Sequence, residues 1–514
     1  MDNNRVVIVG AGPSGLVAGC ELMRLGVPVR VLDTAGGPAS GSRAIILWPP
    51  TLEVFAELGV LAEAEKLGVR PRALAYHMGN GRLLRLPLDS RNAPLLLSQQ
   101  ETGRLLDDAL ARLNGRVEYS VRVTDVRAGS ESVALDVTGP AGQDTIEAEW
   151  LIGADGVGST VRQRLGIEFP GDLVPATFVL AEGPLSGDFS RDEVHYFLGS
   201  KGVMLLAPLP GGMVRMSAPI KPDMTLDADA VQRLMDERGP GGLRFASLST
   251  LGTFTSQERI AATMRQGRVF LVGDAAHVHS VVGGQGLNLG LQDGRNLAWK
   301  LAGVIQGRFA PAVLDSYSPE RRAAAEQVVR ATGRMARQAV AGPVASRVRD
   351  TAWALMRVTG VLDRVYTPML AGWRTRYPDV LFGAPDQPGS GQNGRGKAAR
   401  GRPRPGTRAA GSLTAGPAEA MSLLRLLTSG SDAGLERAAQ SLAEQFANAL
   451  THERSTSRQS GFVLLRPDGF VAASGSRASE LAGLGARLAG LAAARPTGTP
   501  PGASHPAAMT LREE

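Results

Sequence analysis

Three clusters of glycine and aspartate carry the chemistry that can be read from this sequence. The first is Gly10-Ala-Gly12-Pro-Ser14-Gly15, which follows the β-branched run Val6-Val-Ile-Val9. An apolar stretch over residues 16–25 then reads as a helix. Binding a phosphate ester requires bare backbone N–H groups and no crowding carbons, and this spacing supplies both. Gly10 permits a sharp turn, Gly12 admits a pyrophosphate to the backbone, and Gly15 lets helix and strand pack closely. The helix N-terminus faces the anion with free N–H groups. Asp33 ends the next strand and can accept hydrogen bonds from ribose hydroxyls. The pattern points to an adenine dinucleotide without distinguishing FAD from NAD.

The second cluster is Trp150-Leu-Ile-Gly-Ala-Asp155-Gly156, with Ser159 as a helix N-cap behind it. Alone, it also reads as an ordinary strand–turn–helix corner. The third runs from Gly267 through Gly273-Asp274-Ala-Ala-His277 to Gly283-Gly284-Gln-Gly286-Leu287-Asn288. A strand delivers Asp274 to its carboxyl end, where open α/β sheets hold ligands. Its carboxylate suits a ribityl hydroxyl. The glycine run lets a flat ring lie against backbone, and the helix opening at Leu287 and Asn288 places partial positive charge beside it.

In this order the three clusters resemble the class A FAD-dependent monooxygenases, the family of para-hydroxybenzoate hydroxylase. The similarity spans residues 5–494 and is greatest to the aromatic polyketide and phenol hydroxylases that carry a thioredoxin-like C-terminal domain. The resemblance implies an enzyme with FAD as cofactor and NADPH or NADH as co-substrate. Oxygen would add to the flavin C4a carbon, and the hydroperoxide would hydroxylate an aromatic substrate, a polyketide or another secondary metabolite. It implies that Gly10, Gly12, Ser14 and Gly15 hold the pyrophosphate and Asp33 the adenosine ribose. Arg43 reaches the flavin side, and Gln99 binds the cofactor, with Gln100 leaving that alignment open by one. Asp155 serves FAD and the nicotinamide, Asp274 the ribityl chain, and Gly284, Gly286, Leu287 and Asn288 the pyrimidine edge. Two departures stand out: Val281 replaces a common proline, and Pro50 stands where arginine is frequent. They keep Baeyer–Villiger insertion, epoxidation or simple oxidation open. A non-catalytic flavin-binding protein and a plain NAD-dependent dehydrogenase are the remaining alternatives.

Such chemistry needs no side-chain nucleophile, but a base for a phenol proton would assist. His195 is a candidate, although a surface or packing histidine is its more ordinary reading. Phe197, Met204 and Met216 are candidate pocket residues that also read as core. His277 and His279 lack acidic or cysteine partners at ligand spacing, so no metal is expected.

These residues need elements to position them, and 514 residues exceed one ordinary core. The expected fold is α/β: a Rossmann-like FAD-binding domain of the glutathione-reductase type, an inserted antiparallel-sheet substrate domain and a C-terminal thioredoxin-like domain. The boundaries read as 1–175 and 268–388 for the cofactor domain and 176–267 for the sheet. A linker at 389–411, the thioredoxin-like part at 412–496 and a loose tail at 497–514 follow. Residues 418–450 read as helical. The net charge of +7 is concentrated around 395–408, in a Gly/Pro-rich stretch without aromatic residues, so nucleic acid is not an expected partner. A single cysteine, Cys20, excludes an intrachain disulfide and dithiol chemistry. No apolar run reaches membrane-span length, and the chain reads as cytoplasmic, monomeric or homodimeric. The purified protein is expected to take up FAD and show the absorption bands of oxidised flavin; a protein colourless after FAD addition would favour the dehydrogenase.

Overall fold

Parallel strands need cover on both faces, and the chain supplies it around Val6–Val9, all four residues of which are buried. The computed structural model describes residues 5–38, 44–78, 81–172, 177–199, 201–221, 223–255, 257–280, 283–339, 343–382, 403–409, 422–456 and 460–493. Val6–Val9 lies between Val29–Leu32 and Trp150–Gly153, parallel to both. Val269–Leu271 extends this sheet beside Trp150–Gly153, and Val117–Glu118 extends it beside Val29–Leu32. The expected meander is present as Arg122–Ala128, Val133–Gly139 and Gly142–Ala148.

The helices Pro13–Arg24 and Gly286–Ile305 pack backbone against backbone. A Cβ on Gly294 would sit 3.0 Å from the Ala18 nitrogen. One on Gly290 would sit 2.3 Å from the Ser14 hydroxyl oxygen and 3.0 Å from Gly273 Cα. Small residues on the long helix thus bring the first and third clusters into contact.

A second sheet of eight strands contains Thr177–Ser186, Met213–Ile220, Gly202–Pro208 and Glu193–Gly199 in that spatial order. It continues into Ala73–Met78 and Leu83–Pro87, so the sheet expected over 176–267 also draws two strands from the first part of the chain. One face packs under the helix Ala228–Arg238 through Val231, Leu234 and Met235. The other face packs Leu74, Tyr76, Val194 and Leu198 against Trp353, Leu362 and Leu370.

The C-terminal part corrects the helical reading of 418–450. It is a strand Leu424–Ser429, a helix Ala433–Gln445 and a strand Leu450–Arg454. The leucine-rich run at 423–427 has no period that separates a doubly buried strand from a buried helix. Gly430 at φ +95° and the Asp432 N-cap, which accepts from Leu435 N, set the helix start beyond it. The sheet order is Leu450–Arg454, Leu424–Ser429, Gly461–Leu465, Val471–Gly475, with the first pair parallel and the others antiparallel. Residues 403–409, expected within a linker, run along this unit: Ala409 N donates to Gly469 O, and Gly406 N to Val471 O. The expected tail lies outside the described residues.

The C-terminal unit shares one continuous apolar core with the first sheet. A buried ionic seam reinforces the contact. Arg466 donates to both Glu320 oxygens at 2.7 and 2.8 Å, and Lys300 Nζ donates to Glu320 Oε2 at 2.7 Å. Gly290→Ala is expected to overpack the helix crossing and lower unfolding free energy by roughly 1–3 kcal/mol, read by denaturant titration.

Candidate functional site

The three clusters converge at the carboxyl ends of the parallel strands. Gly10 takes φ +107°, and a Cβ there would meet Ala154 O at 2.3 Å and Asp155 N at 2.9 Å. The first and second clusters therefore touch through their backbones. A Cβ on Gly15 would lie 2.0 Å from Gly10 O, so this glycine serves close packing. Gly12 differs: a Cβ there would meet nothing within 4 Å, leaving open space at the N-terminus of Pro13–Arg24. No side chain caps that N-terminus. Asp33 Oδ2 accepts from Ala11 N at 2.6 Å and Oδ1 from Ala35 N at 2.8 Å, fixing the loop to the second strand.

Asp155 is nearly spoken for by its own corner. It accepts from Ser159 Oγ at 2.5 Å and from Val161 N at 3.1 Å. Burial raises its pKa, and these donors oppose that shift. Arg162 then links the second cluster to the third. It donates to Val157 O at 2.7 Å and to Ala275 O at 2.8 Å. Asp274 lies in the short turn Gly273–Ala275 directly after the strand and is exposed, whereas Gly273 and Ala275 are buried. Beneath that turn, Asp293 accepts from Gly273 N at 2.9 Å, His277 Nε2 at 2.7 Å and Arg321 Nε at 2.5 Å. Burial alone would raise the Asp293 carboxyl; Arg321 and His277 outweigh it and hold the group below its ordinary value.

The glycine loop is pinned by a tryptophan and an asparagine. Trp48 Nε1 donates to Gly283 O at 3.1 Å, and Trp48 N to Asn288 Oδ1 at 2.7 Å. Asn288 Nδ2 donates to Ile46 O and Gly284 O at 2.7 and 2.8 Å. The Asn288 side chain thus shapes the loop, leaving the uncapped first turn of Gly286–Ile305, with Gly286 and Leu287, to meet a ring through backbone. Gly284, at φ +60°, leaves no room for a Cβ against Ile46. His279 donates from Nδ1 to Ser280 O at 2.8 Å, and its buried Nε2 has no partner among the described residues. Burial lowers its pKa to about 4, so that nitrogen is a neutral acceptor beside Gly286. Among the described residues no cluster suits a metal ion.

Of the other expected residues, Gln99 is half-buried and accepts from Ala44 N at 3.2 Å, next to the Ile46 segment, while Gln100 is exposed. Arg43 and Val281 lie outside the described residues. Pro50 is the second residue of the helix Pro49–Glu57, in the first turn where a missing N–H costs nothing, and its carbonyl accepts from Gln292.

The structure places the four substrate candidates in the packing positions that the sequence also offered. His195, Phe197, Met204 and Met216 all point to the sheet face under Ala228–Arg238, away from the glycine loop. His195 Nε2 donates to Ser190 O at 2.7 Å, so its Nδ1 accepts from His77 Nε2 at 3.0 Å. Burial and this neighbour lower the His77 pKa to about 4. The opposite face carries Tyr76 stacked on Tyr196, with centroids 4.9 Å apart, and Trp353 edge-on to Tyr76. That face shares its apolar cluster with Ile45, Ile46 and Trp48 beside the glycine loop. Trp48, Arg162 and Tyr76 act across long sequence separations, and no local pattern marks them. Asp293, Asn296 and Lys300 do leave a signal: polar residues at i, i+3 and i+7 along one side of a long helix.

The residues present fit an adenine dinucleotide with a flat ring: open space at Gly12, an uncapped helix end, an exposed Asp274 and an unpartnered acceptor at His279. Residues 3–332 match the FAD-binding domain family. The chain is 37% identical over 334 residues to a 6-methylpretetramide 4-monooxygenase of Streptomyces rimosus, covering 62% of this chain and 59% of that protein. It is 30% identical to a rifampicin monooxygenase of Rhodococcus hoagii over 93% of this chain and 96% of that one. The crystallised anhydrotetracycline hydroxylase of Streptomyces rimosus superposes with a TM-score of 0.73 at 27% identity, covering 95% of this chain and 99% of its own. Contact between three glycine-rich segments and a family match over most of the chain agree: this chain belongs to the FAD-binding domain family, and the relatives named above are monooxygenases.

Proposed function

We propose that this chain is an FAD-dependent monooxygenase that uses NADPH or NADH and O2 to hydroxylate an aromatic, polyketide-like substrate. The observation that carries the reading is the convergence of the three clusters around the open space at Gly12, next to an aromatic sheet face. When bound, FAD supplies hydride acceptance from the nicotinamide and activation of O2. The chain's own residues bind and orient. The N-terminus of Pro13–Arg24 holds the pyrophosphate with Gly10, Gly12, Ser14 and Gly15. Asp33 and Asp274 accept from sugar and ribityl hydroxyls, and Gln99 adds a polar contact. The Asp155 corner fixes the neighbouring turn. Backbone at Gly284, Gly286 and Leu287 steadies charge at the pyrimidine edge. The Tyr76 and Tyr196 rings, with Trp353, give a planar substrate a stacking surface and exclude water.

The C-terminal strand order and pairing support a thioredoxin-like unit without the cysteines for exchange chemistry, which fits a structural role. The two-sheet arrangement supports a cofactor domain of the glutathione-reductase type with a substrate sheet inserted into it. Among the described residues no helix is long and apolar enough to cross a membrane, and a cytoplasmic site of action is consistent with that.

Turnover with NADPH, a phenolic polyketide panel and heavy-oxygen-labelled O2 tests the reading: one labelled oxygen atom in the product is expected, and reduced-nicotinamide consumption without label in product would defeat it. Asp274→Ala is expected to weaken FAD binding roughly tenfold by stranding a hydroxyl, measured by flavin fluorescence titration. Gly12→Ala, which meets no protein atom within 4 Å, is expected to leave the melting temperature of the apoprotein unchanged while reducing FAD affinity. Trp353→Leu is expected to raise KM for aromatic substrate several-fold with FAD affinity unchanged, since about 1 kcal/mol of ring contact is lost.

A further inference from the structure

We propose that the C-terminal turn Arg466-Pro467-Asp468-Gly469-Phe470 is part of the apparatus that positions the cofactor, with Arg466 and Phe470 as positioning residues. The inference rests on the FAD reading above and assigns a role to a unit that contributes no residue to the three glycine clusters.

Two buried networks run from this turn into the cofactor domain, and one of them reaches the Gly273–Ala275 turn. In the first, Arg466 clasps Glu320 through both oxygens and donates to Asp468 Oδ2 at 2.6 Å. Asn296 Nδ2 donates to Glu320 Oε2 and to Asp468 Oδ2, each at 2.9 Å. These bonds lock the middle of Gly286–Ile305. One turn earlier on that helix stands Asp293, the acceptor of Gly273 N. In the second network, Phe470 stacks on Tyr377 at 3.9 Å between centroids. The Tyr377 hydroxyl accepts from Arg321 Nη1 at 2.7 Å, and Arg321 Nε donates to Asp293 Oδ1 at 2.5 Å. Glu320 and Arg321 are consecutive, so both networks fix the same turn of Tyr317–Ala339.

The second path ends on the carboxylate that holds the backbone just before Asp274, and the first ends on Asn296, one turn further along the same helix. Arg466, Glu320, Arg321, Asp293 and Asp468 are all at most 5% exposed, so water does not screen or substitute for these bonds. A unit that only docked would need apolar area and a polar rim. Here a charged side chain, Arg466, instead enters the cofactor domain and pairs with Glu320, the neighbour of the Arg321 that holds Asp293.

The test uses full-length Arg466→Met and Phe470→Leu proteins prepared without FAD and titrated with it. Measurements are the FAD dissociation constant, the visible circular dichroism of bound flavin, and melting temperatures with and without FAD. Removing Arg466 leaves two buried carboxylates short of a partner and risks misfolding; Phe470→Leu keeps an apolar side chain and no charge changes. Both variants are expected to lose FAD affinity, roughly tenfold for Arg466→Met, in the usual range for linked sites. The rise in melting temperature produced by FAD is expected to shrink and the flavin dichroism to change. Should Arg466→Met fail to fold, Phe470→Leu decides alone. Equal destabilisation with and without FAD, at unchanged affinity and dichroism, would overturn the inference. An unmutated chain that takes up no FAD would overturn the cofactor reading and this inference together.

Discussion

A single carboxylate organises this molecule. Asp293 is fully buried and takes its hydrogen bonds from a backbone amide, an imidazole and a guanidinium. An ionised carboxylate in such a place is tolerated only when its lone pairs are filled by strong donors. Meeting that demand forces Gly273, His277 and Arg321 to converge, although they come from a turn, a short strand and a separate helix. The turn that presents Asp274 and its tie to the helix carrying Arg321 follow from satisfying this one group.

Much of the cofactor half is legible in the sequence because its constraints are local. Gly10, Gly12 and Gly15 lie within a few residues of one another, and each has a separate steric reason that spacing alone conveys. Asp33 sits at a strand end whose register follows from its pairing with Val6–Val9. The Gly273-Asp274 turn and the helix after the glycine run are likewise contiguous in sequence. Their boundaries shift by one or two residues, as helix ends do.

The substrate half is not legible, for the opposite reason. In a strand, one residue of offset exchanges faces, so His195 and Tyr196 look equally suited to a pocket until the sheet's cover is known. Sequence does not say which face the helix Ala228–Arg238 will take; once it buries Phe197, Met204 and Met216, the even-numbered residues Tyr76 and Tyr196 are left for the face near the glycine loop. The strands carrying Tyr76 and Tyr196 are far apart in the chain yet adjacent in the sheet. The segment at 423–427 carries a related ambiguity: a short run of leucines is compatible with both periods.

The order of strands in the first sheet has a consequence for how the protein is made. Val6–Val9 needs Trp150–Gly153 at its side, that strand needs Val269–Leu271, and the seam beneath closes with Arg466. A ribosome delivers these pieces from first to last. The nascent N-terminal half therefore emerges with an apolar strand edge, and Glu320 and Lys300 follow without their last partner. The buried seam is therefore completed only once the segment around Arg466 has joined the strands that precede it.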